Sequence, residues 1–245
     1  MEVQHSTSSG LPSHVPEGVR IYAIGDIHGQ IELLDSVLGR IQTHIAHNPI
    51  KKPITVFLGD YVDRGPASCA VLERLINYGG QRQSVFLKGN HEAFLIEFLR
   101  EPRILDEWKK YGGVETLLSY GLRPDSESLL KRQADIASEF WKALPPAHRD
   151  FLIHLKTSFV CGDYFFVHAG VRPGIALKAQ EEADLLWIRA DFLDHKEPFE
   201  KVVVHGHTPV AQPDIRSNRI NIDTGAYATG VLTCLTLEAD RLGFL

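Results

Sequence analysis

An α/β fold is the class this sequence predicts, on three observations. Within the first 100 residues, a short β-branched run ending near glycine is followed three times by an amphipathic helical stretch. From Lys156 onward short strand-like runs return, with Gly, Asp or Asn between them. A hydrophobic content of 44% over 245 residues suffices for one sizeable core.

The first unit is Val19-Arg20-Ile21-Tyr22-Ala23-Ile24, closed by Gly25. A helix follows from Ile31 to about His47, with Leu33, Leu34, Val37, Leu38 and Ile41 on one face. In the second, Ile54 to Leu58 runs into Gly59-Asp60 before a helix from Ser68 to Tyr78; in the third, Ser84 to Leu87 runs into Gly89-Asn90 before a helix from Glu92 to Arg100. Successive βα units imply an α/β core. Between residues 103 and 149 the strand signal disappears and Leu129 to Leu144 reads as an amphipathic helix, so this stretch is expected to be a helical insertion beside the core. Strands are then expected at Thr157 to Cys161, Tyr164 to Val167, Val202 to Val204, Ile220 to Ile222 and Val231 to Leu237. Residues 1–18, rich in Ser, Pro and Gly, read as a flexible tail, and 19–245 as one domain.

The net charge of −5, with Lys and Arg scattered, offers no broad positive field for a polyphosphate backbone, so bulk nucleic acid is excluded as an expected partner. Cys69, Cys161 and Cys234 are odd in number and widely spaced, which fits reduced thiols better than a disulfide framework. The sequence has neither a basic start leading to an apolar stretch nor a run of roughly 18 apolar residues. The expectation is a cytoplasmic protein with no membrane partner.

The chemistry sits in the segments that end the strands: Gly25-Asp26-Ile27-His28-Gly29, Gly59-Asp60-Tyr61-Val62-Asp63-Arg64-Gly65, Gly89-Asn90-His91-Glu92, Val167-His168-Ala169-Gly170 and His205-Gly206-His207-Thr208. Strand ends of an α/β sheet are where ligands bind. One Asp there would read as a helix cap, and one His as a core histidine. Caps require neither imidazole nor flanking glycine, so five such segments together point to metal and acid–base chemistry. The glycines suit loops that turn sharply and let a metal or phosphate come close.

In order and spacing these segments resemble the signature motifs of the phosphoprotein phosphatase family of metallophosphoesterases, over Gly25 to Thr208. They are similar to the short prokaryotic serine/threonine branch, since Asn221-Ile222-Asp223-Thr224-Gly225-Ala226 stands where eukaryotic members carry another segment. The resemblance implies a calcineurin-like β-sandwich flanked by helices, with a dimetal centre on one edge. It assigns Asp26, His28 and Asp60 to one metal and Asp60, Asn90, His168 and His207 to the other, with Asp60 bridging. Carboxylate, amide and imidazole donors suit Mn²⁺, with Fe or Zn as alternatives, and not an all-oxygen Ca²⁺ site. A metal-bridging hydroxide would attack phosphorus. His91 would be the general acid, oriented by Asp63, while Arg64, Arg189 and Asn90 hold phosphate oxygens.

Other residues carry two readings each. Arg189 is either a phosphate clamp or a surface arginine closing a strand. His205, two residues from His207 and expected on the same face, is read as support for the metal site. Glu92 reads as a carboxylate opening a helix. Tyr111-Gly112-Gly113 with Trp108 is either a cleft wall or a helix break with a packed indole, and Asp223 reads as strand-end structure.

The expected activity is phosphoserine and phosphothreonine hydrolysis on a phosphorylated protein or peptide. Asp63, and Glu92 after Asn90-His91, favour it over a sibling branch that cleaves dinucleoside polyphosphates. In addition, Arg103, Lys109, Lys110 and Arg123 are interleaved with Asp106, Glu107, Glu115 and Asp125, leaving no continuous positive track. A third reading, a module that binds phosphoproteins without turnover, is disfavoured because no expected ligand is missing.

Overall fold

The computed structural model describes residues 13–123 and 133–245. Three βα units open the chain: β1 (Val19–Ile24) and α1 (Ile31–His47), β2 (Lys52–Phe57) and α2 (Ser68–Gly79), β3 (Ser84–Phe86) and α3 (Asn90–Arg100). The insertion follows as α4 (Leu105–Lys110), α5 (Gly113–Ser119), α6 (Gln133–Ala143) and α7 (Pro146–Ile153). The second half runs β4 (Ser158–Cys161), β5 (Tyr164–Val167), α8 (Glu182–Trp187), α9 (Ala190–Leu193), β6 (Val202–His205), β7 (Asp214–Ile215), β8 (Arg219–Asn221), α10 (Ala226–Thr229), β9 (Cys234–Glu238) and β10 (Arg241–Phe244).

Among the described residues these strands form two sheets, in the orders β10-β9-β1-β2-β3 and β4-β5-β6-β8-β7. In each, the three strands that lead to the candidate site are parallel: β1 with β2 and β2 with β3, and β5 with β6 and β6 with β8. The two-residue side-chain period divides β1 between two cores. Ile21 and Ala23 face the layer between the sheets with Val56, Leu58, Phe166, Val204 and Ile220. Tyr22 and Ile24 face the helices, where Leu34, Val37, Leu38 and Ile41 of α1 and Val71, Leu72 and Leu75 of α2 cover them. A third cluster, including Phe165, Val167, Val203 and Phe192, covers the outer face of the second sheet. The expected sandwich flanked by helices is therefore present.

Several expected boundaries shift. The helix expected over residues 129–144 is seen as α6, and its first residues, through 132, lie outside the described residues. Val231 is not in β9, because its carbonyl accepts from the Thr224 hydroxyl and holds it in a loop. Of the expected tail, residues 1–12 lie outside the described residues. Residues 13–18 correct that expectation: Ser13 and Val15 are buried, with the His14 amide donating to Asp163 and the Val15 amide to the Ala239 carbonyl. No helix among the described residues is long and apolar enough to cross a membrane.

Candidate active site at the strand ends

Six non-glycine residues among those described have positive φ, and five of them belong to the expected site: His28 (46°), Asp60 (52°), Asp63 (70°), Arg64 (67°) and His207 (66°). Each left-handed residue costs on the order of 1–3 kcal/mol, so their concentration at the strand ends marks a place where geometry is held for function. The glycines contribute space of a different kind from that expected. A methyl group on Gly206 would collide with the Asp26 carboxylate, and one on Gly89 with that of Asp60. These glycines admit carboxylates rather than a metal or phosphate.

Both sheets contribute to one cluster. Asp60 is the shared member of the two groups of candidate donors found among the described residues, His28–Asp60–His91 and Asp60–His168–His207. Its Oδ2 lies 3.5 Å from His28 Nε2 and its Oδ1 3.4 Å from His168 Nε2. Backbone carbonyls set the tautomers: His28 Nδ1 donates to Val62 O at 2.9 Å and His168 Nδ1 to Leu58 O at 3.0 Å. Each Nε2 then turns a lone pair inward. The His168 lone pair meets Asn90 Oδ1 at 2.9 Å, and His207 Nδ1 lies 2.8 Å from the same oxygen. Burial drives the pKa of His28 down to about 3 and that of His207 to about 2, and lowers His168 too, favouring neutral imidazoles. Burial also opposes ionisation of Asp60, but the surrounding histidines outweigh it and hold its pKa below the usual carboxylate value.

Asp26 stands beside this cluster. Its Oδ2 accepts the His207 amide at 3.0 Å, while its buried Oδ1 has no hydrogen-bond partner. Burial raises its pKa well above the ordinary value, and the charges of Asp223 and Asp60 add to that. Asp223, read from sequence as strand-end structure, therefore belongs to the electrostatics of the site. Its own pKa is pushed to about 6, chiefly by burial. Converging lone pairs and buried carboxylates without counter-charge are costly unless cations lie among them. The donors fit a pair of divalent ions.

His91 is set apart by its second nitrogen. Nδ1 lies 2.7 Å from Asp63 Oδ2, and Nε2 faces Asp60 Oδ2 at 3.8 Å and Arg64 Nη2 at 3.5 Å. Burial pulls the His91 pKa down, but Asp60 and Asp63 more than offset it, so the net shift is upward. A protonated imidazole is a donor and not a ligand, which separates His91 from the other histidines. Asp63 in turn accepts from Trp108 Nε1 at 2.8 Å and from Thr116 Oγ1 at 2.6 Å. Trp108 is thus neither a cleft wall nor only a packed indole. Gly112, at φ 94°, receives the Arg64 amide on its carbonyl at 3.2 Å, and a side chain there would strike the Arg64 backbone.

The remaining residues are sorted by contact. Arg64 lays its guanidinium 4.6 Å from the Tyr227 ring centre. Arg189 follows helix α8 rather than closing a strand, and donates to Thr208 Oγ1 at 3.2 Å. Its charge acts on His168, His207 and Asp223, which places it at the rim of the site. His205 does not share a face with His207: the left-handed turn at His207 breaks the alternation, and His205 packs its ring against Phe192 at 4.9 Å. Glu92 does more than open α3. Its buried carboxylate accepts the amides of Asp60, Tyr61, Val62 and Gly89 at 2.9, 2.8, 3.2 and 2.9 Å. Burial and the Asp60 charge push its pKa to about 7, against the pull of those amides.

A sandwich with such a cluster at its strand ends defines a metal-dependent phosphoester hydrolase. The chain belongs to the calcineurin-like phosphoesterases, whose family profile matches residues 19–230. It is 28% identical over 230 residues to an asymmetrical bis(5'-nucleosyl)-tetraphosphatase PrpE of Anoxybacillus flavithermus, spanning 86% of this chain and 88% of that protein. Its fold is similar to that of a candidate diadenosine tetraphosphatase, with a TM-score of 0.63 at 19% identity and 92% of both chains covered. It is also similar to a cold-active protein tyrosine phosphatase, with a TM-score of 0.59 at 17% identity, covering 94% of this chain and 78% of the other. The sequence resemblance pointed to the serine/threonine phosphatase branch, whereas the relative bears a tetraphosphatase name. The motifs from Asp26 to His207 establish the family and not the branch.

Proposed function

We propose that this chain hydrolyses dinucleoside polyphosphates such as diadenosine tetraphosphate. The observation that carries this reading is the end-to-end likeness to an asymmetrical tetraphosphatase over 86% of the chain. Two of the three features that favoured a phosphoprotein substrate, Asp63 and Glu92, lose their weight in the structure. Asp63 orients His91, and Glu92 holds the Asp60 loop. Both serve the metal and acid machinery that either substrate requires.

In this reading Asp26, His28 and Asp60 hold one divalent cation and Asp60, Asn90, His168 and His207 the other. Mn²⁺ is the expected ion, with Fe²⁺ or Zn²⁺ also suited to the donors. When bound, such a pair offsets phosphate charge and provides an activated water near neutral pH. Arg64 and Arg189, with the Asn90 amide, hold non-bridging oxygens. His91 Nε2 gives its proton to the departing phosphate oxygen, and Asp63 keeps the ring in place for it. Unequal cleavage of the tetraphosphate by one water yields ATP and AMP.

The deciding experiment compares initial rates with Mn²⁺ on diadenosine tetraphosphate and on phosphoserine and phosphotyrosine peptides, with the nucleotide products resolved. The expected result is a kcat/KM at least about tenfold higher for the dinucleotide, with ATP and AMP as products. A comparable advantage for either peptide would overturn the reading and restore the phosphoprotein one.

A further inference from the structure

Beside the candidate metal cluster, Phe94 of α3, Trp187 of α8 and Tyr111 in the turn after α4 form one angled aromatic face. Phe94, one turn after Asn90 in α3, stacks on Tyr111 at 5.0 Å and 27° and meets Trp187 edge-to-face at 5.3 Å and 89°. The face reaches the site at both ends: Trp187 lies 6.2 Å from the His207 ring and Tyr111 6.3 Å from the His91 ring. Packing alone does not account for it. Trp108, in the same helical insertion as Tyr111, is fully buried, whereas Tyr111 and Trp187 remain 37% and 39% exposed. Tyr and Trp rings left partly in water and joined into one patch beside a polar centre form a surface that can take a flat ligand.

We propose that Trp187 stacks one nucleobase of the substrate face to face, while Tyr111, whose ring is turned steeply from that of Trp187, meets the edge of the base, both backed by Phe94. The ligand, a purine nucleotide, is taken from the dinucleotide reading, on which this proposal rests. Arg189, two residues beyond Trp187 and bonded to Thr208, lies where the phosphate of the same nucleotide would pass from the platform toward the metals. Tyr227 approaches His28 at 5.3 Å, but the Arg64 guanidinium lies on its ring. The Tyr227 ring is thus already covered by Arg64, and the base belongs on Trp187. The sequence offered no place for adenine because Phe94, Tyr111 and Trp187 are far apart in the chain and follow no shared period.

The test compares two product-like inhibitors, AMP and ribose 5-phosphate, which differ only in the base, against hydrolysis of an aryl phosphate by the Mn²⁺-loaded enzyme. Stacking a base on an aromatic ring strengthens binding roughly 5- to 100-fold. AMP is therefore expected to inhibit at least about tenfold more tightly than ribose 5-phosphate. Trp187→Ala and Tyr111→Ala should each shrink that ratio severalfold with the ribose 5-phosphate constant nearly unchanged, and Trp187→Phe should retain most of it. A ratio near one in the parent enzyme overturns the platform, as does a ratio unmoved by both alanine variants. Parallel weakening of both inhibitors also overturns it, since that reports a damaged site and not a lost stack. Failure of the dinucleotide reading is seen separately, as a preference of the parent enzyme for phosphopeptides.

Discussion

Three donors converge on the Asp63 carboxylate, from His91, Trp108 and Thr116, and together they compensate a fully buried charge. The imidazole is consequently fixed with Nδ1 occupied and Nε2 turned to the proposed metal cluster. His91→Asn is expected to keep its metal and to lose about 10²- to 10⁴-fold in kcat on an alkyl phosphate ester, whose leaving oxygen must be protonated. On diadenosine tetraphosphate the loss should be smaller, because a nucleotide phosphate leaves readily as an anion. Asp63→Asn should act in the same direction by a smaller factor. Rates on both substrates, with elemental analysis of each variant, check this; equal losses on the two would remove His91 from proton transfer. The sequence made His91 and Asp63 legible because both stand inside strand-end motifs. Trp108 and Thr116 reach Asp63 from 45 and 53 residues away, and a single long-range hydrogen bond leaves no periodic trace in a sequence.

At the scale of elements, the loops after β2 and β3 are joined by one side chain. Glu92, in the first turn of α3, takes three consecutive amides of the loop that carries Asp60, and the Gly89 amide as well. That bracing holds Asp60 in its left-handed conformation against strain. Glu92→Gln is expected to cost roughly 1–3 kcal/mol in denaturant unfolding, the penalty of leaving buried donors poorly matched, and also to weaken Mn²⁺ binding by displacing Asp60. A residue that only opened the helix would cost about 0.3–1 kcal/mol and leave the Mn²⁺ titration unchanged. The three βα units were legible to within two residues, since strand and helix periods alternate cleanly there; β2 starts at Lys52 rather than Ile54, and α3 takes in Asn90 and His91 ahead of Glu92. Helix α8 was not. Its six residues are too short to display a 3.6-residue period, and Leu185-Leu186-Trp187-Ile188 reads equally well as a strand. The two-residue β7 escaped notice for a similar reason, being shorter than any alternation it could show.

Over the whole molecule, the proposed ligands divide between the sheets: Asp26, His28, Asp60 and Asn90 follow strands of the first, His168 and His207 strands of the second. Bound cations would thus join two layers otherwise held mainly by apolar packing. Saturation to about 100 times the dissociation constant adds roughly 2.7 kcal/mol per site, which for a chain of this size raises Tm by about 5–10 °C. Chelation is expected to remove that increment and Mn²⁺ to restore it. Asp60→Asn should lose more of the increment than Asp26→Asn, because Asp60 is proposed to serve both ions and lies beside His28 of the first sheet and His168 of the second. Asp26 adds a change of sign. Its folded pKa is raised by burial and by Asp223 and Asp60, so without metal the folded state binds more protons than the unfolded chain. Its contribution to stability then falls as pH rises through that raised pKa. Asp26→Asn removes this cost while its amide oxygen can still accept the His207 amide. At pH 7 the variant should therefore match or exceed the parent Tm in chelator, yet fall below it in Mn²⁺. Thermal melts of both proteins in both buffers decide the matter. A variant less stable than the parent by the same amount with and without metal would show that Asp26 serves packing, and that no cation is held there.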